Sequence, residues 1–222
     1  MIDPSSFFES ITNKGISFFT GVPDSLLKNF CYFITDNVSS ENHIICANEG
    51  NSVALACGHY IATGNPAFVY MQNSGFGNSI NPITSLADKE VYAIPMILLV
   101  GWRGEPGIPD EPQHIKKGRI SEELINTLEL PNYILGPQSD YRKIISESYE
   151  RAVKEKCPVV ILVKKGAFKE YTSSLSDKNL IQSELSREDA IEIIAKGSTK
   201  EDIFVSTTGV ASRELFEIRE RL

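Results

Sequence analysis

The 222-residue sequence is poor in cysteine and histidine, with four and three of them. None of its four cysteines belongs to a CxxC pair or has a neighbouring set of histidines, which argues against a zinc site and against a disulfide framework. No apolar run is long enough for a transmembrane helix, and the N-terminus "MIDPSSFFES" lacks the basic start and apolar core of a signal peptide. We therefore expect a cytoplasmic protein with no membrane partner.

Basic residues are also in the minority. The 22 Lys and Arg residues are outnumbered by 29 Asp and Glu, which gives a formal net charge of −7. The summed field of such a protein repels phosphate, so non-specific binding to nucleic acid is not expected. An anionic ligand would have to be bound by local basic groups.

Short apolar runs alternate along the chain with segments of helical periodicity. The runs lie at residues 16–22, 43–47, 66–72, 94–101, 132–135 and 158–164, and the periodic segments at 24–38, 49–63, 76–89 and 139–155. Strands that are apolar on both faces and alternate with helices predict an α/β fold, in which helices cover both faces of a mainly parallel sheet.

The composition changes after residue 168. Residues 169–186 are polar and are predicted to form a linker. A helix (187–196), a strand with its loop (202–210) and a second helix (211–222) are predicted to follow. Because one such unit cannot bury both faces of a sheet, residues 187–222 are interpreted as the opening of a second, truncated α/β domain, and residues 1–168 as the first domain.

Four loops follow predicted strands and contain polar groups beside glycine or proline. They are "GVPDS" (21–25), "ANEG" (47–50), "QNSGFGNS" (72–79) and "GWRGEPGIPDEPQH" (101–114). In parallel sheets, ligands collect at the carboxyl ends of the strands. Each loop also has a structural interpretation. Asn48 and Glu49 can cap and complement the start of a helix, and Asp24 with Ser25 is typical of a first helical turn after Pro23.

The two longer loops leave alternatives open. Gly75 and Gly77 would let the backbone approach a ligand, but Ile80 stands where a dinucleotide fingerprint needs its third glycine, so a simple strand-to-helix turn is equally consistent. Arg103 could bind a phosphonate, sulfonate or carboxylate, or form a surface ion pair. His114 could transfer protons or be structural, and a structural role is expected for the other two histidines.

The stretch "NEGNSVALACGHYIATGNPAFVYMQNSGFGNSINPI" (48–83) resembles the pyrimidine-binding domain of thiamine-diphosphate-dependent 2-oxo-acid decarboxylases. Together with "GVPDS" and "RGEPGIPDEPQH" (103–114), this stretch is most similar to the phosphonopyruvate decarboxylases within that family. The sulfopyruvate decarboxylases are the next most similar group. The resemblance covers residues 10–165 and continues more weakly through residues 206–217.

The resemblance implies roles for individual residues. Glu49 would hydrogen-bond N1′ of the aminopyrimidine of thiamine diphosphate and promote its imino tautomer. Residues 72–75 would line the cofactor near its rings; they are Gln72, Asn73, Ser74 and Gly75. Asp24 is the candidate for proton transfer, with Ser25 beside the reacting group. The phosphonate end of the substrate would be met by three residues of the fourth loop, namely Arg103, Gln113 and His114.

The resemblance also implies partners and a reaction. The reaction would convert 3-phosphonopyruvate to phosphonoacetaldehyde and carbon dioxide in phosphonate biosynthesis, in a homodimer or homotetramer. The family binds the diphosphate through Mg²⁺ with a "GDG…NN" motif that this sequence lacks, so we expect the Mg²⁺ ligands in a missing C-terminal domain and the chain alone to be inactive. The alternatives are a sulfopyruvate decarboxylase and a non-catalytic nucleotide-binding or regulatory α/β module.

Overall fold

The computed structural model describes residues 1–174, 184–207 and 209–222. The chain forms two compact units, Met1–Leu175 and Ser176–Leu222. No helix in the described ranges combines the length and the apolar character that crossing a bilayer requires.

A six-stranded sheet forms the centre of the first unit. Its strands are β1 (Phe19–Gly21), β2 (His43–Ile45), β3 (Ala67–Gln72), β4 (Met96–Gly101), β5 (Asn132–Leu135) and β6 (Pro158–Val163). They are arranged in the order β2-β1-β3-β4-β6-β5, and every neighbouring pair is parallel. The predicted parallel sheet is confirmed, and each strand lies within one of the six apolar runs.

Six helices and one π-helical segment connect the strands or precede them. They are α1 (Pro4–Thr12), α2 (Lys28–Asn37), α3 (Glu49–Thr63), α4 (Asn73–Pro82), the π-helical segment Ile83–Ala87, α5 (Pro112–Thr127) and α6 (Tyr141–Glu155). Alternate residues of β3 point to opposite faces. Phe68 and Tyr70 belong to a core shared with α1, α2 and α6, whereas Val69 and Met71 belong to a core shared with α3, α4 and α5. Helices therefore cover both faces, as predicted.

Two helix starts differ from the prediction by three residues or more. Helix α2 begins at Lys28 rather than at residue 24, because residues 24–27 form a turn: the Asp24 carboxylate accepts a hydrogen bond from Leu26 N at 3.1 Å. Pro23 consequently does not occupy a first helical position. Helix α4 begins at Asn73, three residues before the predicted start. Helices α1 and α5 were not predicted, and α5 begins inside the fourth loop.

Part of the predicted linker is attached to the first unit. Phe168 is buried and forms a parallel bridge with Ile2. Beyond it, Asp36 on α2 accepts hydrogen bonds from the Tyr171 hydroxyl at 3.1 Å and from Ser174 N at 2.8 Å. The linker prediction also spans residues 175–183, which lie outside the described residues.

The second unit contains two described helices, α7 (Arg187–Gly197) and α8 (Val210–Arg221). Both match predicted helices to within one residue at each end. The strand predicted at residues 202–210 is wrong for its described part, since residues 202–207 form no strand and Ile203 and Val205 are about nine-tenths exposed. A β-strand needs a neighbour to hydrogen-bond with, and the described residues of this unit provide none. Residue 208 lies outside the described residues.

Candidate active site

The candidate residues lie at the carboxyl edge of the sheet, because all six strands run in the same direction. Asp24 and Ser25 follow β1, Glu49 follows β2, residues 72–75 follow β3, and Arg103 follows β4. The strand order places β2, β1, β3 and β4 next to one another, so all four of these loops start side by side.

Glu49 is the first residue of α3, and its side chain is half-buried. The cap is formed by Asn48, whose side chain accepts a hydrogen bond from Gly50 N at 2.8 Å. Glu49 Oε2 instead accepts a hydrogen bond from Asn78 Nδ2 on α4 at 2.9 Å. Within the described residues, Oε1 has no recorded hydrogen bond. The Glu49 carboxylate is therefore held at one oxygen, and the other oxygen is available to a ligand.

Two glycines allow the first turns of α3 and α4 to approach at Glu49. A Cβ atom at Gly75 would overlap the Glu49 carboxylate, and a Cβ atom at Gly50 would lie 2.7 Å from the Asn78 carbonyl oxygen. Real Cβ atoms do not come this close to other heavy atoms, so both positions require the missing side chain. Gly75 was expected in the site from its sequence context, and it lies against Glu49.

The other residues after β3 contact one another and the β4 loop. Gln72 Nε2 donates to Ser74 Oγ at 2.6 Å. Asn73 is buried; its Nδ2 donates to the Arg103 carbonyl oxygen at 2.8 Å and to Ser121 Oγ at 3.0 Å, and its Oδ1 accepts from Arg103 N at 3.2 Å. The Asn73 amide thus joins the start of α4 to the β4 loop through Arg103 and to α5 through Ser121. Cofactor contacts of Gln72, Asn73 and Ser74 stay predictions.

Asp24 is a buried acid with one unpaired oxygen. Its side chain is 4% exposed, and among the described residues Oδ1 has no hydrogen-bond partner. Gly101 leaves room for the other oxygen, because a Cβ atom there would overlap Asp24 Oδ2. Burial raises the pKa of Asp24 to about 6, and the hydrogen bond from Leu26 N and the charge of Arg103 oppose this rise only in part. Asp24 can therefore gain or lose a proton near neutral pH.

Arg103 forms an ion pair, the structural alternative recognised in the sequence. Its Nε and Nη2 donate to the two carboxylate oxygens of Asp110 at 2.8 Å and 2.5 Å, and Nη1 donates to Ser25 Oγ at 2.8 Å. The hydrogen bonds from Arg103 hold the pKa of Asp110 well below its usual range. Because a guanidinium carries five N–H groups, these three bonds leave two N–H groups of Arg103 for a ligand.

A cavity of about 230 Å³ adjoins this ion pair. Its lining residues come from the ends of β1, β4 and β6 and from the fourth loop: Ser25, Leu26, Trp102, Arg103, Gly104, Glu105, Ile108, Asp110 and Lys165. The lining does not include Gln113, which is exposed, or His114, which is half-buried near the start of α5. The structure does not bring these two predicted substrate residues to the cavity.

The two remaining histidines have structural contacts, in keeping with the sequence analysis. His43 Nε2 lies 2.8 Å from the Tyr70 hydroxyl, and the ring of His59 stacks on Phe18 with 4.4 Å between centroids. Burial lowers the pKa of both imidazoles.

Three residues of this region were not predicted from the sequence. Asn78 lies one helical turn after Gly75 and so shares its face of α4, a spacing that could have identified it. Asp110 lies in the fourth loop, but its pairing with Arg103 was not predicted. Lys165 follows the carboxyl end of β6, and this position was a usable signal because the other candidate loops follow strands in the same way.

Metal binding is not assigned to the described residues, among which no group of three or more His, Cys, Asp or Glu side chains could hold an ion. The expectation of Mg²⁺ stays a prediction.

Comparison with known proteins agrees with the geometry. Residues 5–125 match the family described as "Thiamine pyrophosphate enzyme, N-terminal TPP binding domain". Sulfopyruvate decarboxylase subunit alpha of Methanococcus maripaludis is 31% identical over 70% of this chain and 90% of its own length. Phosphonopyruvate decarboxylase of Streptomyces hygroscopicus is 27% identical over the whole of this chain, which spans 58% of that relative.

The fold is shared with solved structures. Benzoylformate decarboxylase from Polynucleobacter necessarius superposes with a TM-score of 0.59 at 17% identity, over 88% of this chain and 36% of that protein. The resemblance read from residues 48–83 is confirmed, and the chain belongs to the thiamine pyrophosphate enzyme family through its N-terminal TPP binding domain.

Proposed function

We propose that this chain supplies the pyrimidine-binding part of a thiamine-diphosphate-dependent decarboxylase that converts 3-phosphonopyruvate to phosphonoacetaldehyde and carbon dioxide. The observation that carries the proposal is the Glu49 carboxylate, which is fixed by Asn78 at one oxygen and has its other oxygen available. The family match and the names of the relatives support the reaction type.

The residues around Glu49 fit the pyrimidine ring of the cofactor. A carboxylate at the positive end of α3 is stabilised as an anion, and its available oxygen can accept a hydrogen bond from the ring nitrogen when that nitrogen carries a proton, as in the imino tautomer. Gly75 keeps this position open, because any larger residue would displace the carboxylate. When bound, thiamine diphosphate would supply the electron sink that 2-oxo-acid decarboxylation needs.

The residues beside the cavity fit a substrate with two anionic groups. Ser25 and the two remaining N–H groups of Arg103 can donate hydrogen bonds to a carboxylate or a phosphonate. Asp24 is close to this pair, and a pKa of about 6 lets it hold a proton or release one at physiological pH. Asp24 is accordingly proposed as the group that exchanges the proton that replaces the lost carboxyl group.

Sulfopyruvate is the second candidate substrate, and a specific observation favours it. The match to the Methanococcus alpha subunit covers 90% of that subunit, so a chain of this length can be one subunit of a two-subunit enzyme. A competition assay on the complete enzyme, with both acids at equal concentration, separates the candidates. Preferential consumption of sulfopyruvate would overturn the phosphonopyruvate assignment.

The reaction is tested with Glu49→Gln in the complete enzyme, that is, this chain together with the part that binds the diphosphate. The amide keeps the size of the side chain but cannot polarise the ring nitrogen as a carboxylate does. We expect turnover to fall by about 100-fold or more. Glu41→Gln makes the same chemical change at an exposed position and should leave turnover unchanged.

Unchanged turnover in Glu49→Gln, with a folded protein by circular dichroism, would contradict the proposal and favour a non-catalytic regulatory module. The homodimer or homotetramer remains part of the proposal and is measured by sedimentation.

A further inference from the structure

We infer that Lys165 provides the net positive charge that binds the anionic group on C3 of the 2-oxo acid, and so sets the preference for charged substrates. The inference rests on the proposed function and deepens it. Lys165 lies two residues beyond the end of β6 and lines the same cavity as Ser25 and Arg103.

Of the charged side chains that line the cavity, one has no partner among the described residues. Four charged side chains line it: Arg103, Glu105, Asp110 and Lys165. Arg103 is held by Asp110 at 2.5 Å, and Glu105 is held by Lys164 at 2.6 Å, so both lining acids already have a cationic partner. For Lys165, no hydrogen bond or ion pair is recorded within the described residues. Its ammonium group is therefore the uncompensated charge of the cavity lining.

The ion pair with Asp110 limits the net charge that Arg103 can offer to a ligand. Asp110 receives two hydrogen bonds from Arg103, one from Gly104 N and one from Glu111 N, so it is firmly anchored beside the guanidinium. The pair contributes directional N–H donors but little net charge. A dianion entering a protein of net charge −7 is repelled unless an uncompensated cation meets it. Lys165 meets that requirement.

The neighbouring lysine cannot replace it. Lys164 is paired with Glu105, and its Nζ lies 5.8 Å from the centre of the Trp102 ring. Lys165 is exposed at the mouth of the cavity on a flexible stem. Phosphonate and sulfonate groups are both tetrahedral, so a flexible ammonium can contact either one equally well. It distinguishes them by their charge, because it attracts the phosphonate dianion more strongly than the sulfonate monoanion. The contribution of Lys165 to substrate binding should be largest for a phosphonate, smaller for a sulfonate, and smallest for an uncharged methyl group.

Trp102 gives a direct binding assay, because it is the one tryptophan of the chain and it lines the cavity. The full chain is titrated with phosphonoacetate at low salt while tryptophan fluorescence is followed. We expect Lys165→Met to weaken binding by about tenfold, the loss typical of one charged hydrogen bond. Lys165→Arg keeps the charge and should remain within about threefold of the wild type. Lys169→Met removes the same charge from an exposed site outside the cavity lining and should bind as the wild type does.

A second measurement separates this inference from the proposed function. In the complete enzyme, Lys165→Met should raise KM for phosphonopyruvate more than for sulfopyruvate, leave KM for 2-oxobutanoate nearly unchanged, and change kcat little. The enzyme could bind phosphonoacetate in a way that depends on Lys165 and yet decarboxylate none of these acids. That result would support the anion site and overturn the proposed function. Equal phosphonoacetate affinity in Lys165→Met and Lys169→Met, or no saturable binding to the wild type, overturns the anion site.

Discussion

Asp24 has a proton affinity set by its burial. The carboxyl group has lost most of its contact with water, and the hydrogen bond from Leu26 N stabilises the anion only in part. The charged form is therefore disfavoured, and the pKa rises from 3.8 to about 6. Replacing Gly101 by any larger residue would force this side chain to move.

The raised pKa of Asp24 makes the stability of the fold depend on pH. Between pH 3.8 and about 6 the folded protein binds this proton more tightly than the unfolded chain does, so the free energy of unfolding falls as pH rises through that window and is level above it. From about pH 4.5 to 7.5 the contribution of Asp24 should drop by about 2 kcal/mol. Urea unfolding of the wild type and of Asp24→Asn at both pH values measures this change in the free energy of unfolding.

The comparison with Asp24→Asn isolates one group, because the amide does not titrate while the other carboxylates remain in both proteins. The wild type should lose stability relative to the variant as pH rises. Parallel pH profiles of the two proteins would contradict a raised pKa of Asp24.

At the scale of elements, the site depends on how closely the first turn of α4 approaches the first turn of α3. The contact is made by Gly75 on α4 and the Glu49 side chain on α3, and Asn78 joins the same two helices by a hydrogen bond. Two glycines of α4 differ sharply in their surroundings. A Cβ atom at Gly75 has no room, whereas one at Gly77 would meet only Lys117 Nζ, at 3.6 Å.

Gly75→Ala and Gly77→Ala therefore form a matched pair within one helix. Gly75→Ala should lower the free energy of unfolding by about 1–3 kcal/mol, the usual cost of overpacking, and should displace the Glu49 carboxylate. Gly77→Ala should raise it by up to about 1 kcal/mol, because alanine has the higher helix propensity. Urea unfolding of both variants measures the difference. Equal effects of the two substitutions would show that Gly75 does not shape the site.

At the scale of the whole molecule, the net charge of −7 opposes the diphosphate of the cofactor, and the described residues offer no cluster of metal ligands to offset it. We propose that the 222-residue chain alone binds thiamine diphosphate weakly. Isothermal titration with Mg²⁺ present should give similar low affinities for thiamine and thiamine diphosphate, because the diphosphate would add no favourable contact. Stoichiometric binding that requires the diphosphate would contradict this expectation.

The architecture was predictable because its signals are local. Strands such as Pro158–Val163 are apolar at every position, which in a parallel sheet means burial on both faces. Helix α3 matched its predicted bounds, with Asn48 as its cap and Gly64 in the left-handed conformation at its end. The strand expected at residues 202–210 failed for the opposite reason, since strand formation depends on a distant partner that propensity does not reveal.

The site was predictable only in part. The sequence identified Glu49, Asp24 and Arg103 as polar residues at strand ends. It could not say that Asp110 rather than a ligand occupies one edge of Arg103, or that Asn73 is consumed in joining two loops. The first fact depends on how the fourth loop folds back on itself, and the second depends on β3 and β4 being neighbours in the sheet.

The sequence by itself determined a parallel α/β domain with acids and an arginine at its carboxyl edge, because hydrophobic periodicity and helix caps act within a few residues. Only the tertiary structure decided which of those groups are charged, paired or available. Burial of Asp24 and the cavity that Lys165 lines arise where segments far apart in the chain meet, whereas the Arg103–Asp110 pair arises from the way one loop folds back on itself. The free energy of an ionised group depends on those surroundings.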